Sequence, residues 1–580
     1  MSDRVRQKYQ ELSRLTVWQI LEDTAARLPD KVAVIDGERR LTYSELLEES
    51  SRQADKLHAH GLGKGTVVAV YLPNSAQLVT LFYALQKLGA VIAWVNPNYR
   101  ESEVRVILEK SGAEAIVLFQ EWQDYDCLGG VLSLESVPRL ENIIVCDASS
   151  ESLVADPRVK SLGQVLESGA RAAGVPEVES EDLSMLIFTS GTTGTPKGVM
   201  ITQSQAVRAG YSYSLAVDAS EDDVFIGFLP MSHSYGCGSL LVQPFLLGST
   251  LVMLADFSPR KAFALIEKEK VTLQPAAPAH YILELGHKSR EEYDLSSLRA
   301  GNIGGQAAPA GLIARVEEEM GVYISSMWGS SEVGAGLSLP YKTPLEVRER
   351  AVGYPLEGTK ARVVDPETGE ELDPGESGEL LLEGWHVTQG YWGDPGETAD
   401  QIPDGVLHTG DLAVKHEDGC FDILGRLKEC VNRGGFKIIP SEVESLLLEH
   451  PEVAEVCVVG TPNPVLGEST CACVVPAGEV SEGALDLEGL RSFLDGRLAD
   501  FKLPDELLVL EELPRMPGGV KVNRFGSGGL TELASDSDDK QTLFEDSLRF
   551  TRPRRYVDAT SPILFLSPQD SGPGGRGARG

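Results

Sequence analysis

The sequence predicts an α/β protein in which a large N-terminal domain of layered sheets and helices precedes a small α+β domain. Three observations predict this architecture. The chain has 580 residues, more than one hydrophobic core usually supports, so at least two domains are expected. Its first part alternates apolar runs of strand length with helical stretches, a pattern typical of parallel sheets covered on both faces. Near Arg426 the pattern restarts as a smaller unit.

The individual elements follow from the position of the hydrophobic runs. Strands are predicted at residues 67–72, 115–119, 142–146, 185–188 and 250–254. Helices are predicted at residues 43–59, 75–88 and 259–269. Residues 149–182 are polar and irregular, and we expect them to link two αβ units. In the smaller unit we predict helices at 440–450 and 487–498 and strands at 453–460 and 471–475.

The composition excludes several classes of protein. A formal charge of −35 argues against nucleic acid or anionic membrane as a main partner, because both are themselves negative. No apolar run approaches the roughly 20 residues that span a bilayer, and the N-terminus lacks the apolar segment of a signal peptide. The eight cysteines form no CxxC pair, which favours a reduced, cytoplasmic protein.

Residues 188–199 read Phe-Thr-Ser-Gly-Thr-Thr-Gly-Thr-Pro-Lys-Gly-Val and predict a phosphate-binding loop. Glycine frees the backbone to curl around an anion, hydroxyl groups donate hydrogen bonds, and Lys197 adds a positive charge. The P-loop of NTPases requires GxxxxGK[ST]. Here Pro196 precedes the lysine and Gly198 follows it, so that class is excluded.

The loop resembles the signature of the adenylate-forming superfamily, which contains acyl-CoA ligases, beetle luciferases and nonribosomal adenylation domains. Further segments resemble the motifs of this superfamily in the required order, at residues 230–236, 302–309, 326–332, 407–412, 425–429, 432–443 and 460–468. The resemblance spans about residues 16–524. It implies an AMP-binding domain at 1–425, part of it β-barrel-like, and a mobile C-terminal domain at 426–530. Residues 531–580 contain an acidic cluster and a low-complexity end, and are predicted to be disordered.

The resemblance also implies a role for each motif residue. Adenine lies against a glycine-rich wall and an aromatic side chain, and Asp411 accepts hydrogen bonds from both ribose hydroxyls. Glu332 is the implied Mg²⁺ ligand, His233 lines the acyl pocket, and Lys428 is the hinge between the domains. The residues implied to contact ATP or CoA are Thr189, Ser190, Gly191, Thr192, Thr193, Gly194, Lys197, Gly304, Gly305, Gln306, Trp328, Gly329, Ser331, Asp411, Arg426, Lys428, Gly434 and Gly435.

The motif that carries the catalytic lysine departs from the family pattern. Relatives have PxxxxGKxx[KR], whereas residues 513–524 read Leu-Pro-Arg-Met-Pro-Gly-Gly-Val-Lys-Val-Asn-Arg. Val520 separates the glycine from Lys521, and the two preceding glycines offer room for one extra residue. We therefore predict that Lys521 bridges the substrate carboxylate and the α-phosphate. A frame error or an alternative C-terminus is a second explanation for the altered motif.

The implied reaction is the ATP-dependent ligation of a carboxylic acid to CoA through an acyl-adenylate. A carboxylate and a phosphate are both anions, so the site must concentrate positive charge. The residues predicted to carry the catalysis are Lys521, Lys197, Glu332 and His233. ATP, Mg²⁺ and CoA are the predicted cofactors and co-substrates, and the protein is expected to be a monomer or a homodimer.

The acid itself is less well defined by the sequence. Ser232 and His233 stand where amino-acid-activating relatives carry an aspartate, so an amino-acid substrate is disfavoured and a fatty or aryl acid is predicted. The residues predicted to shape the acyl tunnel are Tyr235, Gly236, Cys237, Gly334 and Gly336. Two alternatives stay open, namely an enzyme that loads a carrier protein and a non-catalytic relative that binds nucleotide or acyl groups.

Overall fold

A computed structural model describes residues 3–542 apart from 135–136, 138, 149–152, 169–173, 190–195, 307, 434–435, 464–465, 479–484, 496, 516–521, 526–527 and 537–540. The predicted α/β architecture is confirmed, with layered sheets and helices in the first part and a smaller α+β unit after them. None of the helices in these residues is long and apolar enough to cross a membrane. All eight cysteines lie in the described residues, and none forms a disulfide.

A seven-stranded sheet carries the two strands that flank the predicted phosphate loop. In sheet order the strands are Lys197–Thr202, Leu183–Thr189, Val91–Trp94, Val67–Tyr71, Ala115–Leu118, Asn142–Val145 and Val159–Ser161. The first pair is antiparallel and the other pairs are parallel. The predicted apolar strands are confirmed, because Val67–Tyr71 and its neighbours are buried on both faces. The loop sequence therefore falls between two paired strands at the edge of the sheet.

Two four-stranded sheets form a second layer. The first has the order Val224–Gly227, Thr250–Met253, Val32–Asp36 and Arg39–Thr42, and the second has the order Ala300–Ile303, Tyr323–Trp328, Leu337–Ser338 and Tyr354–Pro355. Leu273 pairs with both Phe225 and Ala300 and so joins the two sheets. One hydrophobic cluster includes Val68 of the first layer and Val252 of the second, so the layers share a core.

The helices of the N-terminal part begin at capping residues that are legible in the sequence. Thr42 and Glu45 form a capping box at the start of Tyr43–Ala59. The predicted helices at 43–59 and 259–269 have the observed bounds, and the helix at 75–88 begins one residue later. The α-helices are Asp3–Leu12, Val17–Arg27, Tyr43–Ala59, Ala76–Leu88, Glu101–Ser111, Cys127–Leu132, Leu162–Glu167, Gln203–Leu215, Ser234–Gly236, Gln243–Leu247, Pro259–Glu269, Pro278–Gly286, Leu312–Met320, Leu345–Arg348 and Pro395–Gln401. A π-helix spans Cys237–Val242, 3₁₀ turns span Lys288–Glu292, Pro403–Gly405, Leu427–Glu429 and Asp500–Lys502, and a short hairpin pairs Glu121–Trp122 with Tyr125–Asp126.

The predicted irregular segment at 149–182 is partly ordered. Val159–Ser161 adds a parallel strand beside Asn142–Val145, and Ser161 with Gln164 forms the capping box of Leu162–Glu167. The prediction of an irregular link is therefore wrong for this strand and helix. Their apolar residues Val159, Leu162 and Val165 are few, but all three are buried.

An antiparallel sheet follows where the resemblance implies a β-barrel-like part. Its strands, in order, are Thr359–Val364, Ser377–Gly384, Val406–Lys415 and Phe421–Arg426. In its last pair Asp411 lies opposite Arg426. This register brings two of the predicted nucleotide residues together.

The small unit is a six-stranded sheet covered by helices. Its strands are Val431–Arg433, Phe436–Ile438, Val453–Asn463, Gly467–Pro476, Glu506–Val509 and Gln541–Thr542, and its helices are Pro440–Leu447, Leu487–Leu494 and Leu530–Asp536. Both predicted helices thus end a few residues earlier than expected, and both predicted strands are longer.

The prediction of disorder from residue 531 is wrong for the first part of the tail. Residues 531–536 continue a helix that starts at Leu530, and the side chains of Leu530 and Ala534 are fully buried. They pack on Cys457, Cys471 and Leu508 of the small unit. The local composition is acidic, but contacts with distant strands stabilise this helix. The remainder of the tail, residues 543–580, lies outside the described residues.

Candidate active site

Lys197 is the first residue of the strand that follows the predicted phosphate loop. It lies opposite Thr189, and Gly198 lies opposite Phe188. The Lys197 ammonium forms an ion pair with the carboxylate of Glu397 and lies 5.5 Å from the ring centroid of Tyr391. Ser190, Gly191, Thr192, Thr193 and Gly194 lie outside the described residues. Thr189 therefore ends one strand of the pair, and Lys197 begins the other strand directly opposite it.

Glu332 follows the strand Tyr323–Trp328 and contacts the chain segment that contains Thr388 and Tyr391. Its Oε1 accepts a hydrogen bond of 3.1 Å from the Tyr391 hydroxyl, and its carbonyl accepts one of 2.7 Å from the Thr388 N–H. In the described residues no group of three or more His, Cys, Asp or Glu could hold a metal ion. A single carboxylate still fits Mg²⁺, which binds through one or two carboxylates together with substrate phosphates.

Asp411 connects two of the residues predicted to surround the nucleoside. The indole N–H of Trp328 donates to Asp411 Oδ2 at 2.9 Å, and Arg426 Nε lies 2.7 Å from Asp411 Oδ1. Asp411 is buried, with 4% exposure, whereas the Arg426 side chain is 44% exposed. The carboxylate thus fixes an aromatic ring on one side and an accessible guanidinium on the other.

Two of the predicted glycines have close neighbours, which at Gly329 exclude a side chain. A Cβ at Gly304 would lie 3.1 Å from the Tyr235 ring, and one at Gly329 would lie 1.9 Å from the carbonyl oxygen of Gly334. Gly305 has a φ of +84°, a conformation that favours glycine. Gln306 is exposed, so this side chain is accessible beside the glycines.

Lys428 lies in the 3₁₀ turn Leu427–Glu429, between the antiparallel sheet and the small unit. Burial lowers the pKa of Lys428, and the positive charges of Arg426 and Lys197 lower it further. Arg426 and Lys197 therefore lie near enough to Lys428 for their positive charges to act on it. Gly434, Gly435 and Lys521 lie outside the described residues.

Arg524 ends the motif that contains Lys521 and is tied to the turn. Its guanidinium lies 2.8 Å from Glu444 and 3.5 Å from Glu429. Glu429 is the residue next to Lys428, so the end of the lysine motif and the predicted hinge share an ion-pair network.

A small apolar cavity is lined in part by Ser331, the residue before Glu332. Its volume is about 30 Å³, which is room for little more than a water molecule. The lining residues are Met185, Ile187, Ile201, Ala206, Ala209, Ser234, Cys237, Gly238, Val242, Ser331 and Gly334. None of them is charged. Burial raises the pKa of the Cys237 thiol to about 12, so this lining is neutral as well.

The cavity contains some of the predicted acyl-pocket residues. Of the residues predicted to shape the acyl tunnel, Cys237 and Gly334 line it, whereas Tyr235, Gly236 and Gly336 do not. Ser331, which was predicted to contact the nucleotide, lines it as well. His233 is exposed and its Nδ1 accepts a 3.4 Å hydrogen bond from the Tyr235 N–H at the start of a short helix. The structure does not bring the His233 side chain to the cavity lining, and its role in the acyl site stays a prediction.

Sequence reasoning missed several lining residues. Met185 and Ile187 are two positions apart on one strand, and Ala206 and Ala209 are three positions apart on one helix. These spacings place each pair on one face of its element. The spacing is legible in the sequence, but which face meets the cavity depends on the packing of strand and helix. Tyr391 and Glu397 were missed too, because their partners are distant in sequence.

Comparisons with known proteins agree with this arrangement. Residues 21–392 match the family model of the AMP-binding enzyme, and residues 442–519 match the AMP-binding enzyme C-terminal domain. The chain is 31% identical to a long-chain-fatty-acid–CoA ligase of Bacillus subtilis, over 88% of this chain and 94% of that protein. It is 32% identical to the medium-chain fatty-acid–CoA ligase of Escherichia coli, over 88% of each chain. The crystal structure of the anthranilate CoA ligase AuaEII with anthranoyl-AMP superposes with a TM-score of 0.80 at 25% identity, covering 90% of this chain and 98% of that one.

The fold and the grouped motif residues define an adenylate-forming enzyme with a large and a small domain. Within that class, the chain belongs to the AMP-binding enzyme family.

Proposed function

We propose that this chain is an AMP-forming acid–thiol ligase, which makes an acyl-CoA from a carboxylic acid and CoA while ATP is cleaved to AMP and pyrophosphate. One observation carries the proposal: Asp411 joins Trp328 and Arg426 through its two carboxylate oxygens. The fatty-acid and anthranilate CoA ligases that the chain resembles support the same reaction class.

In the first step the acid carboxylate attacks the α-phosphate of ATP and pyrophosphate leaves. The nucleophile is already ionised, so the step needs no general base. It needs positive charge instead, because negative charge accumulates on the phosphate in the transition state. We assign this role to Lys197, Arg426 and Lys521. Mg²⁺, held by Glu332, would neutralise phosphate oxygens when bound.

In the second step the CoA thiolate attacks the acyl carbonyl of the adenylate, and AMP leaves. We assign Gly434 and Gly435 to the passage of the CoA arm, since a glycine backbone permits close approach. Lys428 would absorb the rotation of the small domain between the two steps. The domain division at residues 425 and 426 is part of the same proposal, as is a cytoplasmic location.

The acyl group is proposed to be an uncharged fatty or aryl tail. The lining of the cavity favours this class, since it is apolar and contains no charged side chain. A charged tail there would lose its hydration without gaining a partner. The cavity volume of about 30 Å³ is smaller than any such tail. We therefore expect Val242, Met185 or their neighbours to move apart when the acid binds.

The test is AMP and pyrophosphate formation by the purified full chain with Mg·ATP and a panel of fatty and aryl acids, with CoA present or absent. An acyl-CoA product from one class of acid is expected. An adenylate that forms without a thioester would show that a carrier protein is the acceptor. ATP binding without pyrophosphate release from any acid, which persists after deletion of Val520 to restore the usual spacing of Lys521, would contradict the proposal.

A further inference from the structure

Residues 388–398, which we call the strap, connect the proposed metal ligand to the proposed phosphate lysine. The Thr388 N–H donates to the carbonyl of Glu332 at 2.7 Å, and the Trp392 N–H donates to the carbonyl of Gly198 at 2.8 Å. The strap also pairs with the strand after the phosphate loop, through a bridge between Tyr391 and Val199. Its backbone is therefore fixed to both halves of the site.

Tyr391 is the strap residue whose side chain meets both halves. It is buried, with 5% exposure. Its hydroxyl donates to Glu332 Oε1 at 3.1 Å, and its ring centroid lies 5.5 Å from the Lys197 ammonium. The Lys197 ammonium also pairs with Glu397, which belongs to the strap.

We propose that Tyr391 is a positioning residue for nucleotide binding, whose hydroxyl orients the Glu332 carboxylate toward Mg²⁺ and whose ring steadies the Lys197 ammonium. The inference rests on the proposed function, because it assumes that this site takes Mg·ATP. When one oxygen of a carboxylate accepts a hydrogen bond from a fixed donor, the other oxygen can turn toward a metal ion. Hydrogen bonds of this kind to a metal ligand strengthen metal binding.

The chemistry of the hydroxyl suits this task. The Tyr391 hydroxyl is the donor in its bond with Glu332, because an ionised carboxylate only accepts hydrogen bonds. The ring offers a negative face to the Lys197 ammonium, and such contacts are attractive within about 6 Å. The two parts of the side chain therefore have separable effects, the hydroxyl on the metal ion and the ring on the lysine.

The test is calorimetric titration of the full chain with ATP, in Mg²⁺ and in EDTA, without acid so that no turnover occurs. For Tyr391→Phe we expect Mg²⁺-dependent ATP affinity to fall on the order of tenfold, the value of a hydrogen bond to a charged group, with unchanged affinity in EDTA. Tyr391→Leu, which also removes the ring, is expected to weaken binding in EDTA as well. In a Glu332→Gln background, Tyr391→Phe should have no further effect.

Tyr43→Phe is the matched control. Tyr43 is fully buried, and its hydroxyl donates to the carbonyls of Ser249 at 2.6 Å and Pro244 at 3.2 Å, neither of which belongs to the strap or to the strand Lys197–Thr202. The Tyr43→Phe variant should lose about as much thermal stability as Tyr391→Phe, but it should bind Mg·ATP with the affinity of the wild type. If Tyr391→Phe binds Mg·ATP as the wild type does, the inference is overturned while the proposed function stands. If the wild-type chain itself shows no Mg²⁺-dependent ATP binding, both are overturned.

Discussion

The Lys197 ammonium pairs with the Glu397 carboxylate, and the phosphates of ATP would compete for the same ammonium. Its side chain is 10% exposed and pairs with Glu397, which is 20% exposed. The proposed function requires the same ammonium to meet the phosphates of ATP. The ion pair with Glu397 must then loosen when the nucleotide binds, and Glu397 acts as an internal competitor.

The Glu397→Gln variant tests this competition. Loss of the negative charge frees Lys197, and we expect ATP to bind about threefold to tenfold tighter, since a partly buried ion pair contributes on the order of 1 kcal/mol. Glu383→Gln, which breaks the exposed pair with Lys360, is the control and should leave ATP affinity unchanged. Weaker ATP binding by Glu397→Gln, measured by calorimetry, would mean that Glu397 orients the lysine instead of competing for it.

Glu284 is a second residue whose charge has a measurable consequence. It is fully buried, and burial raises its pKa to about 8, against a smaller opposing effect of the hydrogen bond from Gln274. A carboxyl group whose pKa is higher in the folded than in the unfolded state binds its proton better when folded. Stability is therefore greatest below the unfolded-state pKa and falls as the pH rises from there toward 8.

We expect Glu284→Gln to abolish this pH dependence. The amide cannot ionise, and its oxygen can still accept from the Gln274 side chain, so the variant should be more stable than the wild type near pH 8 by a few kcal/mol. Near pH 4 the two should be equally stable. Urea unfolding at both pH values is the measurement, and a difference in stability that does not change with pH would contradict the assignment.

At the scale of elements, the helix Leu530–Asp536 shows how tertiary contacts outweigh composition. One face carries Leu530 and Ala534, both fully buried, while Leu533 is 40% exposed. The buried face covers Cys457, Cys471 and Leu508. A helix this short has little stability of its own, so the contacts maintain it.

The pair of variants Leu530→Ala and Leu533→Ala separates packing from helix propensity. Leu530→Ala leaves a cavity against the strands and should cost about 2–5 kcal/mol in the free energy of unfolding. Leu533→Ala, on the exposed face of the same helix, should cost well under 1 kcal/mol. Both values come from urea unfolding. Equal, small effects would show that the helix does not contribute to the small unit.

This contrast indicates what a sequence can predict about the elements. The helix Tyr43–Ala59 was predicted with its observed bounds from its local sequence pattern, and in the structure Thr42 and Glu45 form a capping box at its start. The helix at Leu530 was not, since its partners lie in strands that are distant in the chain. The same distinction applies to the residues of the candidate site. Asp411 and Arg426 were identified from motifs, whereas Tyr391 was found only through its contact with Glu332, fifty-nine positions away.

At the scale of the whole molecule, the turn Leu427–Glu429 is the proposed hinge for the two-step reaction. It follows the strand Phe421–Arg426 of the larger part and precedes the strand Val431–Arg433 of the small unit. Glu429 and Glu444 both pair with Arg524, so the turn is also held by the motif that contains the predicted catalytic lysine. A rotation between the two steps would require the backbone of this turn to change its φ and ψ angles.

The Lys428→Pro variant tests whether the turn must move. Proline fixes φ near −65°, so it should restrict rotation, and it also removes the Lys428 ammonium from the proposed nucleotide site. We expect adenylate formation to be nearly normal and the transfer to CoA to slow at least about tenfold. A pyrophosphate burst measured without CoA and acyl-CoA formation in a single turnover separate the two steps. Lys428→Ala, which removes the same charge but leaves the backbone flexible, is the control, and its rates measure the effect of losing the charge alone. Equal slowing of both steps in Lys428→Pro would show that the turn positions the small domain for adenylation and that rotation there does not limit the thioester step.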